Sequence, residues 1–488
     1  MSISIISEKE QHCNSIAPQR GALGTNTELP DTRHAESVNS KTDEELDKLG
    51  KVLRARHGKG LRDNFTLADV AHSVLRKYNA NPAPFKRFVD GSKEISFKRN
   101  LFCGNILATH SAIKKTIEHE SYVNTNIAYC SSVWLCPVCS SLIQSRRAEE
   151  IQQALDYADE NDYKVIMITY TASHYANYAL NDFGKRLQTA YSKMNDQLKR
   201  LRKEVEVGNI KAVEFTYSEK NGWHKHFHTI YILKKDCHVG KFYEKIQAAW
   251  ELQCANYGLL DVTDEKALSD FRKHSTSLSV GSKAVLAKYV SKQGVNWTIA
   301  DEMTKSVLKI GHDDEHMTPF QILANIAMTH DRTLRYKLID VFIEYAIHTK
   351  CAHQLDWSNG LKAKVGVLEK SDEELLDEKK DTAVYVAALT VAHWHLLRSK
   401  YLRIKYFKAL KSASDIEEAY AILVQFFKDE ADDSLANSIL SASDAELLET
   451  YDEREYLSEE ESERLFLLQD LLQTIASCAE YQKFYGET

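Results

Sequence analysis

The chain has 488 residues, of which 43% are hydrophobic and 27% are charged, so it is long enough for about two to four folded domains. No apolar run reaches the roughly 18 residues that a membrane-spanning helix needs, and the N-terminus lacks the layout of a signal peptide. From these features we expect a cytoplasmic protein that is neither secreted nor membrane-spanning and has no membrane partner. In that compartment the nine cysteines should stay reduced or bind metal.

The net charge of −7 is unevenly distributed along the sequence. Residues 1–375 carry 51 basic and 47 acidic side chains, whereas residues 376–488 carry 12 and 23. Because this acidic region would repel phosphate, we predict that residues 376–488 form a helical region that binds a partner or regulates the protein, or a packed appendage without a partner. The remainder of the chain is compatible with DNA as a partner.

The first hundred residues divide into two parts. Residues 1–45 are polar and lack a hydrophobic period, which predicts disorder. Residues 46–100 are predicted to form a basic helical segment ahead of the cysteine region. Within it, residues 51–100 contain 12 basic and 4 acidic side chains. The basic residues predicted to contact DNA phosphates are Arg54, Arg56 and Lys59. A cluster of basic residues in a sequence more commonly forms a solvent-exposed surface without a DNA contact.

Residues 101–158 contain four cysteines in a short region. Two of them flank Pro137 in a Cys-x-x-Cys pair, which makes a tight turn whose thiolates can bind one ion. A redox pair is the alternative, but it normally opens a helix in a thioredoxin-like setting and would not need the other two thiols. We therefore predict a structural zinc site of four thiolates, formed by Cys103, Cys130, Cys136 and Cys139.

Residues 159–310 alternate between strand and helix patterns. The patterns predict strands at residues 165–171 and 277–280, a helix at residues 182–203, a hairpin, and a second helix before the last strand. The order β-α-β-β-α-β-α predicts an α+β fold in which an antiparallel sheet is backed by helices on one face, with the third strand near its centre.

The hairpin carries three histidines at alternating positions. His226 and His228 therefore share one face of a strand, with His224 ahead of them, and the preceding strand carries Glu214. Two imidazoles and a carboxylate on one face predict a site for a catalytic divalent cation. His174 or His224 could replace Glu214 as the third ligand, and a hydrogen-bonded structural histidine is the plain alternative.

The loop of this hairpin leaves its register open. The Asn221-Gly222 pair favours a tight turn. A two-residue loop would pair residue 228 with residue 215, whereas a three-residue loop would pair it with residue 214 on the histidine face.

A helix predicted at residues 283–292 places Tyr289 and Lys292 three residues apart, on one face. A tyrosine hydroxyl beside a divalent ion is a suitable nucleophile for a phosphodiester, because the ion polarises the phosphate. A tyrosine in the core is the alternative, since the chain has 24 of them.

Several segments resemble one family. His226, Phe227 and His228 resemble the HUH motif (histidine, hydrophobic residue, histidine) of rolling-circle replication initiators and related nicking enzymes. Residues 168–174 are similar to the first motif of these proteins, and residues 287–292 to their nucleophile motif, with Lys288 as a candidate DNA contact. Further similarity to the replication proteins of small staphylococcal-type plasmids runs through the cysteine region and a predicted helical extension at residues 311–375.

The resemblance implies an origin-specific endonuclease and strand transferase with an HUH core. Such an enzyme uses Mg²⁺ or Mn²⁺ held by the two histidines and an acid, and needs no nucleotide cofactor. It nicks one DNA strand and leaves a 5′-phosphotyrosine at Tyr289 and a free 3′-hydroxyl, which implies a host helicase and polymerase as partners. Some relatives carry a glutamate where this chain has Val285, so the resemblance does not explain how replication ends.

Two other functions fit the same motifs. A transposase or a mobilisation relaxase would use the same chemistry on a different DNA. A non-catalytic, zinc-containing DNA-binding protein would need neither the histidine pair nor Tyr289.

Overall fold

The computed structural model describes residues 32–55, 63–89, 95–117, 121–281, 316–377, 383–454 and 456–477. These residues form an α+β fold with two antiparallel sheets and a largely helical C-terminal region. The α+β class and the helical C-terminal region agree with the prediction, whereas the sequence predicted one sheet and not two. Among them, no helix combines the length and the apolar character needed to cross a bilayer.

The N-terminal helices pack together through apolar side chains. Leu46, Leu49 and Leu53 are buried on α1, at the spacing of three and four residues that puts them on one helix face. Helix α1 starts inside the stretch predicted as disordered, so that prediction is wrong from residue 32 onward. The error arose because the part of α1 before Leu46 is polar and shows no apolar period. The first helices are α1 (Thr32–Ala55), α2 (Asn64–Ala80), a 3₁₀ turn (Ala83–Phe88) and α3 (Lys98–Leu101).

A three-stranded sheet joins residues near the cysteine region to the C-terminal region. Strand β1 (His110–Thr116) is central, between β2 (Tyr122–Asn124) and a strand at Ala383–Thr390. The prediction that residues 376–488 are helical is wrong for residues 385–389, which lie in this strand. Their side chains are partly β-branched or aromatic, and pairing with β1 decides their conformation.

The second sheet has five strands, and the third strand of the predicted series, β5 (Gly222–Leu233), is central as predicted. The order across the sheet is β6 (Thr276–Gly281), β3 (Lys164–Tyr170), β5, β4 (Glu206–Ser218) and β7 (Leu355–Trp357). Helix α4 precedes this sheet, and the remaining elements lie between or after its strands. In chain order they are α4 (Pro137–Glu160), β3 (Lys164–Tyr170), α5 (Leu180–Gln197), α6 (Lys199–Val205), β4 (Glu206–Ser218), β5 (Gly222–Leu233), α7 (Val239–Asn256), α8 (Glu265–His274), β6 (Thr276–Gly281), α9 (Pro319–Met328), α10 (Arg332–Thr349) and β7 (Leu355–Trp357).

Helices cover both faces of this sheet, which corrects the prediction of one covered face. Ile230 and Ile232 pack with Ile151 of α4 in one apolar cluster. Phe227 and Tyr231, which point to the opposite face, belong to a larger cluster that includes residues of α5 and α7. The sequence pattern predicts which side of each helix is apolar, but it does not predict on which face of the sheet that helix packs.

The hairpin has the three-residue loop considered above, but the residue pairs in its ladder differ from both alternatives. Glu214 pairs with His226, and the ladder ends at Ser218 opposite Gly222, so the loop has three residues. The predicted pairing of residues 214 and 228 is therefore wrong by two positions, a shift that keeps every side chain on its predicted face. Gly222 closes the turn with a positive φ of 74°. A side chain there would also lie 3.1 Å from the Cα of Ala176.

The C-terminal region returns to the first sheet and then continues as helices. Its strand β8 pairs with β1, and Leu465, Leu468 and Leu472 are buried on its last helix. The predicted helical character is thus confirmed outside β8. The elements are α11 (Leu361–Val365), α12 (Asp372–Asp377), β8 (Ala383–Thr390), α13 (Val391–Ser399), α14 (Arg403–Lys411), α15 (Ile416–Glu430), α16 (Asp433–Asn437), α17 (Ala442–Thr450), a 3₁₀ turn (Tyr451–Glu453) and α18 (Glu459–Ser477).

The close approach of α1 to α9 gives a test of the packing. A methyl group at Gly50 would lie 2.0 Å from the carbonyl oxygen of Ala327, so the two helices must separate to accept it. We expect Gly50→Ala to destabilise the protein by about 1–3 kcal/mol, the usual cost of overpacking. The melting temperature should fall accordingly, whereas Lys51→Ala, at an exposed position of the same helix, should leave it unchanged. Equal melting temperatures for both variants would show that α1 does not pack on α9.

Candidate functional site

Glu214, His226 and His228 meet at one end of the β4–β5 hairpin. The Glu214 Oε2 atom lies 3.2 Å from Nε2 of His226 and 3.0 Å from Nε2 of His228. The three side chains are between 6% and 12% exposed, so the site is largely shielded from solvent. The structure thus brings together the acid and the two histidines that the sequence singled out, which are called the trio below.

The spacing of the trio fits a divalent cation. An octahedral ion with ligands at about 2.1 Å separates neighbouring ligand atoms by about 3.0 Å. The two distances from Glu214 Oε2, 3.0 Å and 3.2 Å, are close to that value. One carboxylate and two imidazoles suit Mn²⁺ or another transition metal better than Mg²⁺, which prefers oxygen ligands. Three ligands on one face leave further coordination positions for a substrate.

Thr169 on the neighbouring strand β3 orients one of these ligands. Its hydroxyl lies 2.9 Å from Nδ1 of His228, so it can fix the ring with Nε2 turned toward Glu214. Sequence reasoning missed this residue. Its position in the segment similar to the first family motif was the only available signal.

His224 and His174, the proposed substitutes for Glu214, form a separate pair. Their Nδ1 atoms are 3.2 Å apart, and His224 continues the histidine face of β5 with its ring centroid 4.9 Å from that of His226. Burial lowers the pKa of both imidazoles, and the neighbouring His226 lowers that of His224 further. Both rings are therefore neutral near pH 7. Of the residues the structure describes, Glu214 is the one grouped with His226 and His228 as possible ligands.

Lys225 lies between two histidines in the sequence but on the opposite face of β5. Its amine is 3.3 Å from both the Gly184 carbonyl oxygen and Nε2 of His348. Burial, and secondarily Lys211, lowers the pKa of Lys225 to about 7. This lysine belongs to the core beneath the sheet, not to the trio.

The four predicted zinc ligands converge at the start of α4. Cys136 is the N-terminal cap of this helix and Cys139 lies in its first turn. Both of their sulfur atoms are 3.5 Å from that of Cys103, and the sulfur atoms of Cys130 and Cys139 are 3.7 Å apart. All four residues are buried, free thiols. The Cys-x-x-Cys pair does open a helix, as a redox pair would, but it lies in contact with the other two thiols.

These sulfur distances fit a tetrahedral ion. Zinc–sulfur bonds of about 2.3 Å place the sulfur atoms about 3.8 Å apart. Hydrogen bonds from the other three thiols hold the pKa of Cys103 well below its usual value, while the shared contacts raise the pKa of Cys136 and Cys139. Zinc binds cysteine as the thiolate, so an ion at this cluster would favour loss of the thiol protons on binding.

Of the remaining predicted site residues, the structure describes Arg54. Arg54 donates a hydrogen bond of 2.7 Å to the Met328 carbonyl oxygen at the end of α9, so it contributes to the fold. The other residues lie outside the described part of the chain, as does the helix predicted at residues 283–292. They are the candidate DNA contacts Arg56, Lys59 and Lys288, the proposed nucleophile Tyr289, its neighbour Lys292, and Val285.

The cysteine cluster leads to a test that does not depend on activity. We expect the purified protein to hold about one zinc ion per chain, and Cys136→Ser to lose that ion and melt at a lower temperature, because structural zinc sites contribute folding energy. Metal content by mass spectrometry and thermal melting measure the two effects. Cys254→Ser, at a buried cysteine outside the cluster, should keep the zinc. A zinc-free wild-type protein would rule out the assignment.

A family model and two known proteins are similar to parts of this chain. A family model described as "Replication protein" (Rep_1) matches residues 123–307. "Protein rep" of Streptomyces lividans is 23% identical over 358 residues, which cover 60% of this chain and 77% of that protein. The "Neomycin resistance protein" of Streptomyces cyanogenus is 29% identical over 131 residues, 21% of this chain and 30% of the relative. No solved structure is significantly similar. The family model and "Protein rep" together support a replication protein.

Proposed function

We propose that this protein initiates rolling-circle replication of a plasmid by nicking one strand of DNA at the origin. The trio on neighbouring strands carries the proposal, because it joins a carboxylate and two imidazoles at the spacing of a divalent-cation site. It lies inside the segment similar to a replication-protein model. This arrangement also supports the HUH class of nuclease suggested by the sequence.

The chain's own residues hold the site in place before a substrate arrives. Glu214 and His226 are opposite one another in the hairpin, and Thr169 fixes His228 from the next strand. A site built on sheet strands keeps its geometry better than one built on loops. When bound at the trio, Mg²⁺ or Mn²⁺ would withdraw charge from the scissile phosphate.

Tyr289 is the proposed nucleophile on sequence grounds. Its phenol oxygen attacks the phosphorus, forming the tyrosine O–P bond as the bond from phosphorus to the 3′-oxygen breaks. The phenol loses its proton, and the departing 3′-oxygen gains one and becomes a hydroxyl. Lys292 can stabilise the charge that develops during this transfer. The phosphotyrosine preserves the energy of the broken bond, so joining needs no nucleotide triphosphate.

The proposed products explain the expected partners. A free 3′-hydroxyl is a primer for a host polymerase, and unwinding ahead of it calls for a host helicase. The similarity to replication proteins favours an initiator over a transposase or a mobilisation relaxase. A non-catalytic zinc-containing protein would have no need of the buried trio.

Removing the histidines should abolish nicking without unfolding the protein. Even residues that only support a metal ligand contribute about 10- to 100-fold to activity, so we expect His226→Ala and His228→Ala each to lose at least that much. Glu214→Gln should require more Mn²⁺ than the wild type. The assay is metal-dependent cleavage of single-stranded oligonucleotides that tile the DNA around the gene.

The matched control for these variants is His330→Ala, at an exposed histidine between α9 and α10, which should cleave normally. Wild-type cleavage by the double histidine variant would rule out the trio as the catalytic site. Wild-type behaviour of Glu214→Gln at limiting Mn²⁺ would move the third ligand elsewhere.

Tyr289→Phe removes one hydroxyl and should therefore retain DNA binding but lose the covalent adduct. A protein–DNA adduct that survives detergent, formed with Mn²⁺ and without ATP, can be separated by electrophoresis and mapped by peptide sequencing. Lys292→Ala should slow adduct formation without abolishing it. Tyr456→Phe, at a tyrosine that is 79% exposed, should form the adduct normally. An adduct mapped to another tyrosine would overturn the role of Tyr289 and leave the trio untouched.

A further inference from the structure

A row of aromatic rings begins at the trio and continues along the sheet. The ring of His224 lies 4.9 Å from that of His226, and the ring of His174 lies 4.6 Å from that of His224. His174 follows the end of β3, so the row leaves the hairpin at this point and enters the loop before α5.

The row then reaches the surface. The ring of His174 is 5.8 Å from Phe183, which is 6.4 Å from Tyr178. Tyr178 in turn meets Tyr175 at 5.3 Å, edge to face, with an interplanar angle of 81°. Tyr175 is 59% exposed. The row thus connects the buried trio to an exposed aromatic ring.

The backbone beneath Tyr175 is held in place from two sides. The Tyr178 N–H donates a hydrogen bond of 2.9 Å to the Tyr175 carbonyl oxygen, and the guanidinium of Arg186 lies 5.2 Å from the ring of Tyr178. On the other side Gly222 packs closely against Ala176. Tyr175 is therefore presented by a supported turn, not by a free loop tip.

We propose that Tyr175 stacks on an unpaired base of the DNA strand that is cut, within a few nucleotides of the phosphate at the trio. This inference rests on the proposed function, because it takes the trio as the place of the scissile phosphate. An aromatic ring that is held at one edge and exposed on its surface accepts a base of any type, since every base has a π-face. Paired bases in a duplex cannot offer that face, so the ligand is single-stranded DNA.

The position of Tyr175 explains why a surface tyrosine would be placed here. Chemistry on a phosphodiester needs the strand on both sides of the phosphate to be held in one orientation. A base stacked on Tyr175 would fix one flank while the trio fixes the phosphate. Tyr175 is accordingly a positioning residue that acts on the DNA next to the reacting atoms.

The test measures binding separately from cleavage. Single-stranded oligonucleotides from the origin, with 2-aminopurine at successive positions near the nick, are titrated with the full-length protein without added divalent ion. Stacking of one base is worth about 1–3 kcal/mol, so Tyr175→Ala should raise Kd about 5- to 150-fold. One 2-aminopurine position should lose its fluorescence quenching. Tyr175→Phe keeps the ring and should restore both.

The control variant is Tyr456→Ala, which removes another exposed tyrosine and should leave Kd unchanged. Unchanged melting temperatures would show that the Tyr175 variants fold. An unaltered Kd for Tyr175→Ala, an equal loss of affinity for the matching duplex, or a defect in Tyr175→Phe as large as in Tyr175→Ala would each overturn the inference. Mapping the covalent adduct to Tyr175 would also overturn it, because the residue would then be a nucleophile.

Failure of the proposed function gives a different result. Full cleavage by the double histidine variant would remove the trio from catalysis, whatever the effect of Tyr175→Ala on Kd. Conversely, the histidine variants could lose cleavage while Tyr175→Ala binds DNA with an unaltered Kd. That result would support the proposed nuclease function and reject only the stacking role of Tyr175.

Discussion

The pairing of β4 with β5 is the constraint on which the candidate site depends. Side chains alternate between the faces of a strand, so a slip of one residue would place Glu214 on the side opposite to His226 and His228. The turn at Gly222 prevents such a slip by closing the ladder at a defined residue. Backbone hydrogen bonds thus place the three residues of the trio beside one another on two strands, and the Thr169 hydroxyl then orients the ring of His228.

Helix α4 links the cysteine cluster to the sheet that carries the trio. The cluster lies at the first turn of this helix, and residues farther along it, such as Ile151, pack on the sheet face that carries the histidines. Trp134, just before the helix, also contacts Phe215 of β4 at a ring distance of 5.5 Å. An ion bound by the cysteines would therefore stabilise the helix that packs on the sheet carrying the trio.

The sequence was most informative where periodicity and chemistry coincide. Alternation identified the strands and the shared face of the histidines, and the cysteine spacing identified a cluster that the fold brings together. Register was not predictable, because the loop signal at Asn221 and Gly222 fits more than one pairing. Interactions between distant residues were equally hidden. The strand character of residues 385–389 comes from pairing with β1, and the role of Thr169 depends on His228, its partner on the adjacent strand β5.

The pairing of β1 with β8 has a consequence for how this chain is made. His110 is opposite Thr390 in that ladder, so β1 leaves the ribosome long before its partner is synthesised. Until then one edge of β1 presents unpaired backbone groups, which are a template for association between chains. Formation of this sheet is a late event that requires long-range loop closure. A chain shortened to the region of the family resemblance, ending near residue 375, would keep that edge open permanently and would be prone to aggregate.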